Sequence, residues 1–187
     1  MAIYVCADLH LNHPEVVSNC REIFRSSQDH DKYIIDRYNS VVGKDDLVYI
    51  LGDVGFKPIE ALKKLIRQLN GRKILIIGNH DQLDDNTYRN MGFIEIYRHP
   101  VYYSENIILS HIPLKEGFNN PWVINIHGHL HQSNLNLENY FNVNVEKTNY
   151  LPINIEVFKE KAQKICKQER YEPFQKEWYS KWENKND

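Results

Sequence analysis

The stretch KILIIGNHD, residues 73–81, changes character halfway along. Its first half is apolar and rich in isoleucine, the composition of a short strand buried on both faces. Its second half, GNHD, presents an amide, an imidazole and a carboxylate in succession. In open α/β sheets, strand bodies are buried while strand ends converge on a crevice, so a strand that runs into such a cluster marks an edge where chemistry can be built.

Four more runs of strand length share this design: AIYVCA (2–7), DLVYIL (46–51), NIILS (106–110) and WVINI (122–126). The first hands over to Asp8 and His10, the second to Asp53, the third to His111, and the last to His129 and His131. Between the runs lie helical patterns. Residues 31–42 carry Ile34, Ile35, Tyr38, Val41 and Val42 at helical spacing. Residues 58–71 open on Pro58, align Leu62, Leu65, Ile66 and Leu69, and stop at Gly71. A weaker helix is expected over 84–91. Strand–helix alternation implies a layered α/β domain.

Composition narrows the class. A chain of 187 residues can build one sizeable core, and 42% hydrophobic residues exclude a disordered composition. A net charge of −2 argues against a molecule built to coat nucleic acid. Cys6, Cys20 and Cys166 form no CxxC pair, so reduced thiols in a cytoplasmic protein are expected. No apolar run reaches the length of a membrane span, and the chain opens on a strand rather than a leader.

The donors at the strand ends are four histidines, two aspartates and Asn79. An all-oxygen-and-nitrogen set suits Mn, Fe, Zn, Co or Ni and disfavours soft metals. Seven side chains exceed what one ion normally takes.

The ordered series D-x-H, GD, GNHD, a lone His and GH-x-H resembles the signature of the calcineurin-like metallophosphoesterase superfamily, from Asp8 to His131. DLHLNH (8–13), REIF (21–24), HIPL (111–114) and NVNVEKTNYLPI (142–153) are similar to a small prokaryotic and phage subgroup. The resemblance implies a layered β-sandwich core flanked by helices, spanning residues 1–158. It implies that Asp8, His10, Asp53 and His131 hold one divalent metal. It implies that Asp53, Asn79, His111 and His129 hold a second, with Asp53 shared. Mn is expected first, with Fe, Zn, Ni or Co as alternatives. The implied activity is hydrolysis of phosphodiesters, or of phosphomonoesters, by a hydroxide held between the metals, with His80 assisting the leaving group. Asp81 is expected to orient His80 or to form the turn. His13 and Arg21 are expected to contact the substrate phosphate, Arg21 as a bidentate grip. His127 matches no ligand and is read as a strand-end residue with a structural hydrogen bond. The usual glycine after D-x-H is Leu11 here. Asn12 follows it, and asparagine tolerates a positive φ.

The tail, 159–187, carries eight Lys+Arg and six Asp+Glu. Phe158, Ala162, Ile165 and Cys166 form one apolar stripe, and Phe174, Trp178 and Trp182 form another beyond Pro173. Two amphipathic helical pieces are expected, packed on the body or on a second subunit of a homodimer. The expected substrate is a phosphate ester, with a nucleotide or nucleic-acid end among the candidates. A nuclease on polymers and a non-catalytic binding scaffold are the alternative functions.

Overall fold

Each of the five apolar runs forms a strand in the computed structural model, which describes residues 1–115, 120 and 122–166. The first three are β1 (Ile3–Cys6), β2 (Leu47–Ile50) and β3 (Arg72–Ile76). They are joined by α1 (Pro14–Cys20), α2 (Ser27–Asn39) and α3 (Ile59–Ile66). Then come α4 (Asp85–Met91), β4 (Phe93–Tyr97), β5 (Val101–Ser104) and β6 (Ile107–Leu109). The series ends with β7 (Ile124–His127), β8 (Tyr140–Asn142), β9 (Ile153–Asn154) and α5 (Glu156–Cys166).

The strands form two sheets, in the orders β4-β3-β2-β1-β9 and β5-β6-β7-β8. In the first, β1 to β4 run parallel and β9 is antiparallel to β1. In the second, β6, β7 and β8 are parallel and β5 is antiparallel. Side chains alternate across a strand, so the first sheet supplies two cores. Cys6, Ile50 and Leu75 pack with Ile34 and Tyr38 of α2, Leu62 and Ile66 of α3, and Tyr88 and Met91 of α4. Val5, Leu51 and Ile76 pack with Ile107, Leu109, Ile124 and Ile126 of the second sheet. This is the layered sandwich with flanking helices that the sequence implied.

The two sheets are stitched just beyond β1. Ala7 N–H donates to the Val143 carbonyl at 3.1 Å, and Val145 N–H donates to the Ala7 carbonyl at 3.2 Å. The strand ends that carry Asp8 and Asp53 therefore face those that carry His111 and His129.

Helix α5 begins at Glu156, two residues before the boundary drawn at 158. Phe158 and Ala162 are buried in the inter-sheet core, and Ile165 packs against it. Phe174, Trp178 and Trp182 lie outside the described residues. Cys6 and Cys20 are free thiols.

Ile126 is fully buried between the sheets. Ile126→Ala is expected to destabilise the protein by roughly 2–5 kcal/mol, read as a lower urea midpoint at unchanged slope.

Candidate metal centre

The loops after the strands adopt backbone that side chains ordinarily avoid. Asp8, His10, Asn12, Asp53, His129 and His131 all have φ between 47° and 68°. Such conformations persist only where the surroundings over-determine them. Two glycines show how tight those surroundings are. A Cβ on Gly78 would lie 2.2 Å from Asp53 Oδ1, and one on Gly128 would lie 2.2 Å from Asp8 Oδ2. Gly128 is thus required by the close approach of Asp8, not by a special φ of its own.

Two carboxyl-bearing clamps hold the loops. Asp81 accepts from the main-chain N–H groups of Gly78 (2.9 Å), Asp53 (2.7 Å) and Val54 (3.1 Å). Both of its oxygens are spent on the turn. The second clamp is centred on Arg21. This residue, expected to contact the substrate phosphate, is 2% exposed. Its Nε donates to Glu146 at 2.7 Å. Its Nη1 reaches the Leu9 carbonyl at 3.0 Å and His30 Nε2 at 2.7 Å, and its Nη2 reaches the Asp8 carbonyl at 2.6 Å. His30 Nδ1 in turn donates to Asp31 Oδ1 at 3.0 Å, and Asp31 accepts the Asn12 N–H. One guanidinium thereby fixes the loop that bears Asp8, His10 and Asn12. Its partner Glu146 lies 125 residues away in the chain.

The seven proposed ligands converge. Donor atoms of Asp8, His10 and His131 lie within 4.8 Å of one another, as do those of Asp8, Asp53 and His111. Asp53 Oδ2 lies 3.4 Å from His111 Nε2 and 3.8 Å from His10 Nε2. Asp8 as well as Asp53 therefore stands between the two histidine groups, where the resemblance had implied Asp53 alone. Asn79 Oδ1 is 2.8 Å from His111 Nε2 and 2.9 Å from His129 Nδ1.

The tautomers are set from behind. His111 Nδ1 donates to the Leu51 carbonyl at 2.8 Å, and His131 Nδ1 donates to Glu146 at 3.2 Å. Each leaves Nε2 as the ligand nitrogen, the usual arrangement around a metal. The Glu146 hydrogen bond also raises the His131 pKa.

The site has orphaned polar atoms. Among the described residues, Asp8 Oδ1 and both His10 nitrogens are buried with no hydrogen-bond partner. Each such atom costs free energy comparable to a lost hydrogen bond. A divalent cation would meet Asp8 Oδ1 and one of the two His10 nitrogens, so the donor set fits a metal. Burial pushes the Asp8 carboxyl up to about 7, helped by the neighbouring Asp53, and it depresses the His10 imidazole strongly.

His80 stands beside this cluster. It is exposed, its N–H donates to Asp53 Oδ1 at 2.9 Å, and its ring lies 5.6 Å from that of His10. His13 caps α1 through Nδ1, stacks on Phe56 at 4.5 Å and leaves Nε2 buried and unpartnered. Its ring is 5.8 Å from that of His80. His127 Nδ1 donates to the Gly128 carbonyl at 2.8 Å.

Two outcomes follow from these surroundings. Asp8 holds its proton up to about pH 7 in the folded metal-free chain, while the unfolded chain releases it near 3.8. Its contribution to metal-free stability therefore falls as pH rises from about 4 to 7, and Asp8→Asn escapes that loss. Metal-free Asp8→Asn is expected to exceed the parent by on the order of 1–4 kcal/mol at pH 8, shrinking towards pH 5. Saturating Mn²⁺ should reverse the order, all read as thermal midpoints. Arg21→Ala, which strands the Glu146 carboxylate, is expected to lose roughly 3–5 kcal/mol in urea denaturation.

The family model described as calcineurin-like phosphoesterase matches residues 1–185 of the chain. Protein MJ1445 of Methanocaldococcus jannaschii is 31% identical over 168 residues, which take in 83% of this chain and 88% of that one. The gene 66 protein of Mycobacterium phage D29 is 36% identical over 84 residues, 43% of this chain and 40% of its own length. Among solved structures, protein AQ665 of Aquifex aeolicus superposes with a TM-score of 0.66 at 26% identity, covering 85% of this chain and 98% of that one.

Proposed function

The chain belongs to the calcineurin-like phosphoesterase family, and from that premise we propose that it is a metal-dependent hydrolase of phosphate esters that prefers diesters to monoesters. The observation that carries this reading is the convergence of Asp8, His10, Asp53 and His111 around buried polar atoms that have no protein partner. Asp8, His10, Asp53 and His131 would hold one divalent ion, and Asp53, Asn79, His111 and His129 the other, with Asp8 close enough to serve both. Bound there, the ions would supply Lewis acidity towards the phosphate oxygens and the attacking water.

The rest of the work falls to protein groups. His80 hydrogen-bonds to the cluster through its main-chain N–H, so its exposed imidazole would be available to protonate the departing oxygen. An alkoxide leaving group benefits from such an acid, which favours diester chemistry. His13 Nε2, buried near His80 and without a hydrogen-bond partner among the described residues, would donate to a phosphate oxygen. Asp81 and Arg21 hold the loops in register and touch no substrate.

The test is hydrolysis of bis(4-nitrophenyl) phosphate by metal-stripped protein with and without Mn²⁺. Turnover is expected only with the metal. His80→Ala should lower kcat by about 10²- to 10⁴-fold while Mn²⁺ binding, followed calorimetrically, is unchanged. Bound metal without turnover on any diester or monoester would sink the reading.

A further inference from the structure

A cavity of about 220 Å³ opens beside His80. Its walls include Phe56, Lys57, Ile59, Leu62, Gln82 and Tyr88. Among the candidate site residues, His80 alone lines it. The cavity therefore adjoins the residue that serves the leaving group, and no proposed metal ligand contributes to it.

The wall is apolar at the floor and at the rim. Leu62 and Tyr88 are buried, while Phe56 and Ile59 are 41% and 38% exposed. Single exposed apolar residues are ordinary, but two on the rim of one apolar hollow beside a polar centre mark a binding surface. Phe56 is also held still. His13 stacks behind its ring at an interplanar angle of 29°, and Asn12 Nδ2 donates to the Phe56 carbonyl at 3.2 Å and to the Lys57 carbonyl at 2.7 Å. A fixed ring backed on one face offers its other face as a flat platform.

Size and polarity select the occupant. The cavity is smaller than the roughly 300–1,000 Å³ that house a whole drug-sized ligand, so it suits one ring system. Lys57 and Gln82, both exposed, also line this hollow. A hydrocarbon chain would make no use of either, whereas a heterocycle with carbonyl and ring-nitrogen edges could hydrogen-bond to them.

We infer that this cavity is a subsite for a nucleobase carried on the leaving group, stacked on Phe56. The substrate would then be a nucleotide diester whose nucleoside departs as the alcohol. The assignment of the leaving side rests on the hydrolase reading, through His80. Water adds to phosphorus, the bond from phosphorus to the nucleoside oxygen breaks, and that oxygen takes the proton from His80.

The test uses thymidine 5′-(methyl phosphate), a diester with one base and two leaving groups, and the metal-loaded full chain. The expected products are thymidine and methyl phosphate. Phe56→Ala should raise KM by about 5- to 100-fold, the range of base–aromatic stacking, and erode the product preference. Phe56→Leu, which keeps the bulk without the flat face, should follow the alanine variant. Release of methanol and thymidine monophosphate by the parent, or variants that match the parent in KM and product ratio, would overturn the subsite while the hydrolase reading stands. If no ester is hydrolysed, the hydrolase reading fails, and binding of thymidine and of 2-deoxyribose judges the cavity by itself. At least tenfold tighter binding of thymidine, lost in Phe56→Ala, supports it. Equal binding of the two, or tighter binding of hexanol than of thymidine, overturns it.

Discussion

A single buried guanidinium organises the region on which everything else depends. Arg21 binds the carbonyls of Asp8 and Leu9, the ring of His30 and the carboxylate of Glu146. Through Glu146 it reaches His131, and through His30 and Asp31 it reaches the main chain of Asn12. Arginine suits this position because its planar fork keeps its charge when buried and points donors in several fixed directions. A lysine would offer one point charge and could not span the same carbonyls. The left-handed backbone of Asp8 and His10 is held by such outside contacts, since the residues themselves do not favour it.

A similar economy governs the loop after β2. Asp53 faces the site with its side chain while its main chain is gripped by Asp81. The two acids so divide the labour between ligand and scaffold. Burial raises the pKa of both Asp8 and Asp81, but Asp81 is compensated by three main-chain donors while Asp8 Oδ1 has none. The difference separates a carboxylate that completes a fold from one that would suit a cation.

Much of this was legible in the sequence. The apolar runs were continuous enough to be read as buried strands, and their carboxyl ends carried the donors that the structure gathers. The strands that escaped notice are the weakly patterned ones. β4 and β5 are largely half-exposed, β8 has three residues and β9 has two. Short α1 escaped too, because its seven residues carry one buried position, Val17. The burial of Arg21 and Asp81 was not legible, and for one cause. Both are charged, and a charged side chain in a loop sequence gives no sign of burial. Their buried state depends on partners such as Glu146 and the amides of 53 and 54, which only the folded chain brings near. Asn12 was readable because its local tolerance of positive φ is a property of the residue itself, and it adopts φ 57°.

The placement of the donors also bears on how the molecule comes apart. Asp8, Asp53 and Asn79 follow strands of the first sheet, while His111, His129 and His131 follow strands of the second. Any ion held between the two groups is a rivet across the open edge of the sandwich. Amide hydrogens in both sets of strand-end loops would then exchange with solvent as one cooperative unit when it is bound, and as two independent flaps when it is removed.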